Sequence, residues 1–357
     1  MACGRRLISV GLARMVEFSC PRGESPTLRK AAGIPGMKEP EKPKGDEALG
    51  SFTCNICGAQ NRSDVPVRDR EAVSCSQCRS SIRFRSVILA LSRALFGMDL
   101  ELPEFPLLKS VRGLGISDAD TYSARLENRF SCTSTFYHRD PRFDLLRPDE
   151  RELGKYDFVI CSDVLEHAPS PIEVAFATLG GLLKPTGFLV LTVPYSLEPG
   201  TLEHYPELAE AAFAEINGRT VLVGRSSDGG YHVFDGLTFH GGAGSTLERR
   251  IFSDAGIRKG LAAAGFPIVH FDSLGNRGFG VDLSAPCSLP VIATRVPFAL
   301  CASGVSELVG QLLSARAALN AVRSSRWLRL GRTFGAGPDL GPRHAPTSAA
   351  AVSPISI

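Results

Sequence analysis

This 357-residue chain has no run of about 18 apolar residues, which excludes a helix able to span a bilayer. Nor does either sign of charge dominate. Forty Lys and Arg against 37 Asp and Glu leave a formal net charge of +3, too little to argue by itself for a nucleic-acid partner. No small-residue cleavage site follows the largely apolar residues 7–12, and Arg14 and Glu17 come close behind, so the start does not read as a secretory signal. A disulfide scaffold is excluded too, because ten cysteines are sparse for this length. Four of them fall in two tight pairs and the other six stand singly. What remains is an ordinary globular composition, 43% hydrophobic and 22% charged, in a chain long enough for one core-bearing domain with small additions.

Residues 1–50 carry few structure signals, and 35–50 are rich in Pro, Gly, Lys and Glu, which predicts a disordered leader. Met37 opens directly into that leader, so either Met1 or Met37 reads as the start. At the other end, 334–357 read as a disordered tail rich in Pro, Ala and Ser.

The paired cysteines are Cys54-Asn-Ile-Cys57 and Cys75-Ser-Gln-Cys78, with seventeen residues between them. Each Cys-x-x-Cys turn lets two thiolates point at one ion, and Gly58 suits the turn after the second sulfur. Two such knuckles at this spacing predict a closed four-cysteine zinc ribbon, structural because no coordination position is left open. Its metal would fold a segment too short to fold alone. The alternatives are four unconnected thiols or a redox pair. Reduced paired thiols in an enzyme-sized chain also place it in the cytoplasm. Val87, Ile88, Leu91, Leu95 and Phe96 then recur at helical spacing, predicting a helix that docks the ribbon, so that 51–98 form one module. Arg79, Arg83 and Arg85 form a small basic cluster, suited either to a phosphate or RNA or to an internal salt bridge.

Over 105–297 short apolar runs alternate with amphipathic stretches. Strands are expected at Ser110–Gly115, Ser131–Tyr137, Tyr156–Cys161, Gly187–Val193, Ile268–Phe271 and Pro290–Thr294. Helices are expected at Tyr122–Phe130, Ile172–Leu183 and Ser253–Ala264. This alternation predicts an α/β domain with a doubly wound, mostly parallel sheet, whose ligands sit beyond the carboxyl ends of the strands. Lys184-Pro-Thr-Gly187 reads as a turn feeding a buried strand, and Ser117 with Asp120 as a capping box for the next helix.

Two segments are best marked: Tyr156-Asp-Phe-Val-Ile-Cys-Ser162-Asp163-Val-Leu-Glu-His167, and Leu182-Leu-Lys-Pro-Thr-Gly-Phe-Leu-Val-Leu-Thr-Val-Pro194. They resemble the strand-and-loop and "LLKPGG" segments of the class I S-adenosylmethionine-dependent methyltransferases, over about forty residues. The resemblance implies a Rossmann-like fold and S-adenosylmethionine as cofactor. It places Ser162 and Asp163 at the cofactor's edge of the sheet. The family's glycine-rich first loop survives only as Gly113 and Gly115, which still let a backbone approach the cofactor. The acid that usually holds the ribose is missing, leaving Thr135 to bond one hydroxyl. Asp144 resembles the acid that contacts the adenine amine; the alternative is that it caps a turn.

Methyl transfer to a hydroxyl needs a base, for which His167 is the first candidate and His240 the second. The stretch 201–252 is longer than a minimal member of the family needs and reads as a substrate wall, with Glu203-His204 and the glycines around His240 standing out. A basic amphipathic helix over 303–333, with Leu308, Leu312, Ala315, Leu319 and Val322 on one stripe, suits a partner helix, the catalytic domain or an anionic membrane surface through 305–332. Three functions follow: a methyltransferase acting on a small molecule, sugar or surface glycan; a non-catalytic binding protein on the same fold; and an RNA methyltransferase, which the small net charge disfavours.

Overall fold

The computed structural model describes residues 51–62, 69–117, 120–205, 208–226, 229–240, 246–284 and 286–325. The expected leader and tail lie outside these. The first described elements are β1 (Ser51–Thr53), β2 (Gln60–Arg62) and α1 (Ile82–Phe96). Then come β3 (Leu108–Ile116), α2 (Ser123–Arg129), β4 (Phe130–Thr135), β5 (Tyr156–Ser162), α3 (Ile172–Leu182) and β6 (Leu183–Thr192). Short strands follow: β7 (Tyr195–Ser196), β8 (Leu202–Glu203), β9 (Leu208–Ile216), β10 (Arg219–Ser226), β11 (Tyr231–Phe234), β12 (Phe239–His240), β13 (Thr246–Leu247) and β14 (Arg250–Ser253). The chain continues through α4 (Asp254–Ala263), β15 (Ile268–Phe271), β16 (Val291–Thr294) and α5 (Ala302–Ser324).

Six strands form the central sheet in the order β15-β16-β6-β5-β3-β4. β4, β3, β5 and β6 pair in parallel, and β16 inserts antiparallel between β6 and β15. The chain winds outward from β3 to β4 and then crosses to β5 on the other side of β3. The winding direction therefore reverses at β3/β5, where ligands of open α/β sheets bind. The α/β, mostly parallel architecture expected from the alternating pattern is the one observed.

Alternation along the strands sorts the two faces. Phe158 and Ile160 of β5, with Phe188 and Val190 of β6, join Val87, Ile88, Leu91 and Leu95 of α1. Val159 and Cys161, with Leu189 and Leu191, face Phe176 and Leu179 of α3 and Ile257 and Leu261 of α4. So α1 does more than dock the cysteine module: it is one of the layers of the sandwich. Ser81 caps its start and Gly97, at φ 69°, ends it. Arg93 of α1 binds Asp272 at 2.8 Å and Asp99 at 2.7 Å, tying the helix to the loop after β15.

One expectation is refined and one corrected. β6 begins at Leu183, but Lys184–Gly187 have no partner on β5: the pairing jumps from Tyr156–Leu183 to Phe158–Phe188, so these four residues bulge out before the buried run starts. The Asp157 carboxylate sits at this junction, accepting from Lys184 Nζ at 2.7 Å and from the Arg112 backbone N–H at 2.8 Å. Ser117 and Asp120 do not cap α2, which starts at Ser123 behind Tyr122 with no side-chain cap. Ser117 instead takes a left-handed φ of 54°, the conformation glycine adopts most readily, and Asp120 pairs with exposed Arg139.

The long insert builds an antiparallel sheet, β11-β10-β9. Its tight turn is Asn217-Gly218, both residues at positive φ, as a two-residue hairpin of this twist requires. β8 and β7 flank β14, and β12 pairs with β13. From Val305 the chain forms a second compact unit. Its helix α5 ends at Ser324, within the span expected for the amphipathic helix, and residues beyond 325 lie outside the described ones.

Candidate active site

The cysteine module closes on itself as its spacing predicts. All four sulfurs lie within 4.8 Å of one another. Cys54 to Cys78 and Cys57 to Cys75 are each 3.6 Å, against about 3.8 Å for the edge of a tetrahedron with zinc–sulfur bonds near 2.3 Å. Both knuckles turn the same way. Gly58 and Arg79, each following a second cysteine, take positive φ of 76° and 60° and donate to the carbonyls of Cys54 and Cys75. The thiols differ in acidity: the hydrogen bond that Cys54 donates to Cys78, with burial, pushes Cys54 up to about 12, while accepting that bond holds Cys78 below the usual thiol range. A dication bound among them would remove this asymmetry by deprotonating all four.

The module reaches the carboxyl edge of the sheet through its arginines. Arg70, between the knuckles, donates from both terminal nitrogens to the two oxygens of Asp163, at 3.1 Å each. Arg83, near the start of α1, lies 3.2 Å from Asp163, 2.8 Å from Glu71 and 2.8 Å from the Ser162 hydroxyl. Thr192, at the end of β6, donates to Asp163 at 2.8 Å. Burial works to raise the Asp163 carboxyl, but the two guanidiniums and the hydroxyl outweigh it and hold the group below its ordinary range. Asp163 itself has a positive φ of 53°, leaving the strand sharply. Arg85 is buried and spent inside the module, on the carbonyls of Ser80 and Gly280, on Ser74, and over the Phe52 ring at 4.7 Å. Of the basic cluster only Arg79 is exposed.

The remaining sequence candidates divide. Gly113 lies inside β3, where a methyl group would sit within the Phe158 ring, so packing against that ring accounts for the missing side chain. Gly115 is the next-to-last residue of the same strand. The buried Thr135 hydroxyl donates to the Gly115 carbonyl at 2.9 Å, so toward a ribose hydroxyl its oxygen could act only as an acceptor. The neighbouring Ser134 hydroxyl is buried with no partner among the described residues. Asp144 accepts from Leu146 N–H at 2.9 Å, which is the turn-closing role.

The Asp163–His167 loop packs against the insert. Leu247 of β13 offers its carbonyl to His167 Nδ1 at 2.9 Å, and the backbone N–H groups of Arg249 and Arg250 both point to the Glu166 carbonyl, at 2.8 and 3.3 Å. His240 pairs through its backbone with Thr246, next to Leu247, so both candidate histidines belong to one hairpin region. Nearby, His204 Nε2 meets Glu248 at 3.2 Å and the fully buried Arg250 meets Glu203 at 2.6 Å. Glu166 was not singled out in the sequence. It is fully buried, and neither carboxylate oxygen has a hydrogen-bond partner among the described residues. Burial, reinforced by the Asp163 charge, pushes it well above the usual carboxylate range. Its signal was polarity inside an otherwise apolar Val-Leu-Glu-His stretch; Arg70 left none.

No protein-family model matches the sequence, and no curated protein matches it. Solved structures similar to it include a Burkholderia thailandensis 1,6-didemethyltoxoflavin-N1-methyltransferase with 1,6-didemethyltoxoflavin and S-adenosylhomocysteine bound. It is 16% identical over 59% of this chain and 76% of that one, with a TM-score of 0.33. CalS10, an amino pentose methyltransferase from Micromonospora echinaspora, is 16% identical over 61% and 92%, with a TM-score of 0.33. The sugar N-methyltransferase KedS8 from a Streptoalloteichus species is 14% identical over 52% and 80%, with a TM-score of 0.31. Among the described residues, no helix is long and apolar enough to cross a membrane.

Proposed function

We propose that the chain is an S-adenosylmethionine-dependent methyltransferase whose acceptor is a hydroxyl of a sugar or glycan, with a structural zinc ion in the four-cysteine module. The observation that carries the reading is the Ser162–His167 loop at the carboxyl end of β5, beside the winding reversal at β3/β5. Two buried polar side chains without partners among the described residues, Ser134 and Glu166, lie at this same edge, as expected of groups that complete their bonding only with a ligand. S-adenosylmethionine, when bound, supplies a methyl group on positively charged sulfur. The start of the loop after Gly115, the Ser134 hydroxyl and the Ser162–Asp163 turn would hold it. The insert offers the His204–Glu248 pair and Tyr205, groups suited to binding hydroxyls, and His167 is the base. Reduced thiols in the module suit a cytoplasmic setting.

A non-catalytic binding protein is the second reading. It is favoured by the engagement of Asp163 with Arg70 and Arg83 and of Thr135 with Gly115, which leaves little for a cofactor to take. The RNA reading loses Arg83 and Arg85, both spent within the fold. Calorimetric titration of the zinc-loaded chain with S-adenosylmethionine and S-adenosylhomocysteine decides between the first two. One-to-one micromolar binding supports the enzyme and warrants an acceptor screen among sugars. Absence of binding at millimolar cofactor removes it.

A further inference from the structure

Three charged residues follow one another where the insert returns to the sheet, and two of them are committed. Glu248 turns its carboxylate to His204 Nε2 at 3.2 Å. Arg250, fully buried, holds Glu203 at 2.6 Å and the carbonyls of Leu165 and Ala168 at 2.8 and 2.6 Å. Arg249 stands between them, half-buried, and among the described residues its guanidinium has no hydrogen-bond or ion-pair partner. Its main chain is fixed on both sides. The N–H donates to the Glu166 carbonyl at 2.8 Å, and the carbonyl accepts from the His204 N–H at 2.8 Å. The side chain is therefore carried on a segment bonded both to the loop after β5 and to the His204 pair.

Burial, and then the Arg250 charge, lower the Arg249 guanidinium from its ordinary value; Tyr205, Glu203 and Tyr137 act the other way without making this good. Glu203 is already bound to Arg250, and a tyrosine hydroxyl offers a dipole rather than a charge. Tyr137 lies two residues beyond β4, at the same carboxyl edge as the end of β5. The guanidinium thus sits within electrostatic range of the edge where open α/β sheets bind their ligands. Arginine is not deprotonated in proteins, and a charge partly withdrawn from water without a counter-charge is costly. Its planar fork takes two oxygens of a carboxylate or a phosphate at once.

We propose that Arg249 binds an anionic group on the methyl acceptor, so that the acceptor is an acidic sugar bearing a carboxylate or a phosphate rather than a neutral one. This rests on the methyltransferase reading and narrows its substrate class. Arg249 grips the acceptor away from the reacting hydroxyl and fixes its orientation. The His204–Glu248 pair and Tyr205 are left for the sugar's hydroxyls.

The test is calorimetric titration of the full zinc-loaded chain with glucuronate, glucose 1-phosphate and methyl glucoside, with and without S-adenosylhomocysteine. At least one of the two anions should bind about ten-fold or more tightly than the neutral sugar, and which one does so tells a carboxylate acceptor from a phosphate. Arg249→Gln should abolish that preference and leave methyl glucoside affinity unchanged. Arg249→Lys, which keeps the charge but not the fork, should restore part of it. Anions that bind no better than the neutral sugar, or a preference that survives Arg249→Gln, overturn the proposal. So does a fall in S-adenosylhomocysteine affinity in Arg249→Gln, which would assign the guanidinium to the cofactor's own carboxylate. Because burial works against the unpaired charge, Arg249→Gln should melt no lower than the wild type. A clearly lower melting temperature makes the residue structural and overturns its binding role. Arg249-dependent anion binding in a chain that takes up no S-adenosylhomocysteine rejects the methyltransferase reading and leaves the anion site standing. Cofactor binding without an anion preference does the reverse.

Discussion

Arg70 and Asp163, 93 residues apart, form a two-pronged ion pair in which each terminal guanidinium nitrogen lies 3.1 Å from a different carboxylate oxygen. The planar fork of arginine matches a carboxylate in this way, and lysine cannot. Asp163→Asn should cost about 3 kcal/mol at neutral pH, since Arg70 and Arg83 are both left partly buried without their shared acid. Because the folded carboxyl is held below its unfolded value, that stability is complete above the unfolded value and lost as pH falls through the folded one. Denaturant unfolding of the variant between acid and neutral pH should therefore show a shallower acid limb than the wild type. A double-mutant cycle with Arg70→Ala that proves additive would mean the pair contributes nothing.

Glu166 should behave in the opposite sense. Its folded pKa is raised, so the folded state binds more protons than the unfolded one across the interval between the two values. Stability then falls as pH rises above the ordinary glutamate range, by about 1.4 kcal/mol for each unit of the interval crossed. Glu166→Gln removes the titration while keeping the shape. Melting curves of the variant should lose this slope and lie above the wild type at neutral pH. A wild-type curve flat over that range would show that the carboxyl finds compensation in solution.

Metal content can be tested apart from any activity. Purified protein should hold one zinc ion per chain by elemental analysis, and Cys75→Ser should abolish it. Binding should weaken toward acid pH, since protons compete with the metal for thiols, one of which is pushed up to about 12. Hydrogen exchange after chelation should accelerate over 51–62 and 69–81 and leave β5 and β6 protected. Unchanged exchange in the cysteine segments would mean the fold there does not depend on an ion.

Gly113→Ala separates packing from ligand approach. The added methyl drives into the Phe158 ring and should cost about 1–3 kcal/mol, as overpacked cores do. Phe158→Leu in the same chain should recover part of it. Were Gly113 needed only for cofactor approach, stability would be unchanged, only cofactor affinity would fall, and the second substitution would recover nothing.

Local patterns carried the sheet. The runs around Val159–Cys161 and Leu189–Leu191 are buried on both faces and read directly as central strands, and the Ile268–Phe271 strand was found to the residue. The two knuckles were legible because ligand spacing is itself a local property. The Lys-Pro-Thr-Gly string was legible as a break before the buried run because it has turn chemistry, whereas its attachment to β6 as a bulge and the tie from Lys184 to Asp157 are tertiary. Gly113 misled differently: a glycine looks the same whether a ligand or a phenylalanine ring needs the space. Asn217-Gly218 was the strongest hairpin signal in the insert, yet with 201–252 read only as a wall it went unused. The contacts that build the site, from Arg70 and Arg83 to Asp163 and from Leu247 to His167, join segments with no periodicity in common.

Since Arg70 sits between the two cysteine knuckles, the rim of the sheet cannot be finished by the sheet alone. If the cysteine module folds only around an ion, Arg70 clamps the carboxylate at the end of β5 only in metal-loaded molecules, and the fraction with a finished edge should track metal supply even when total protein does not.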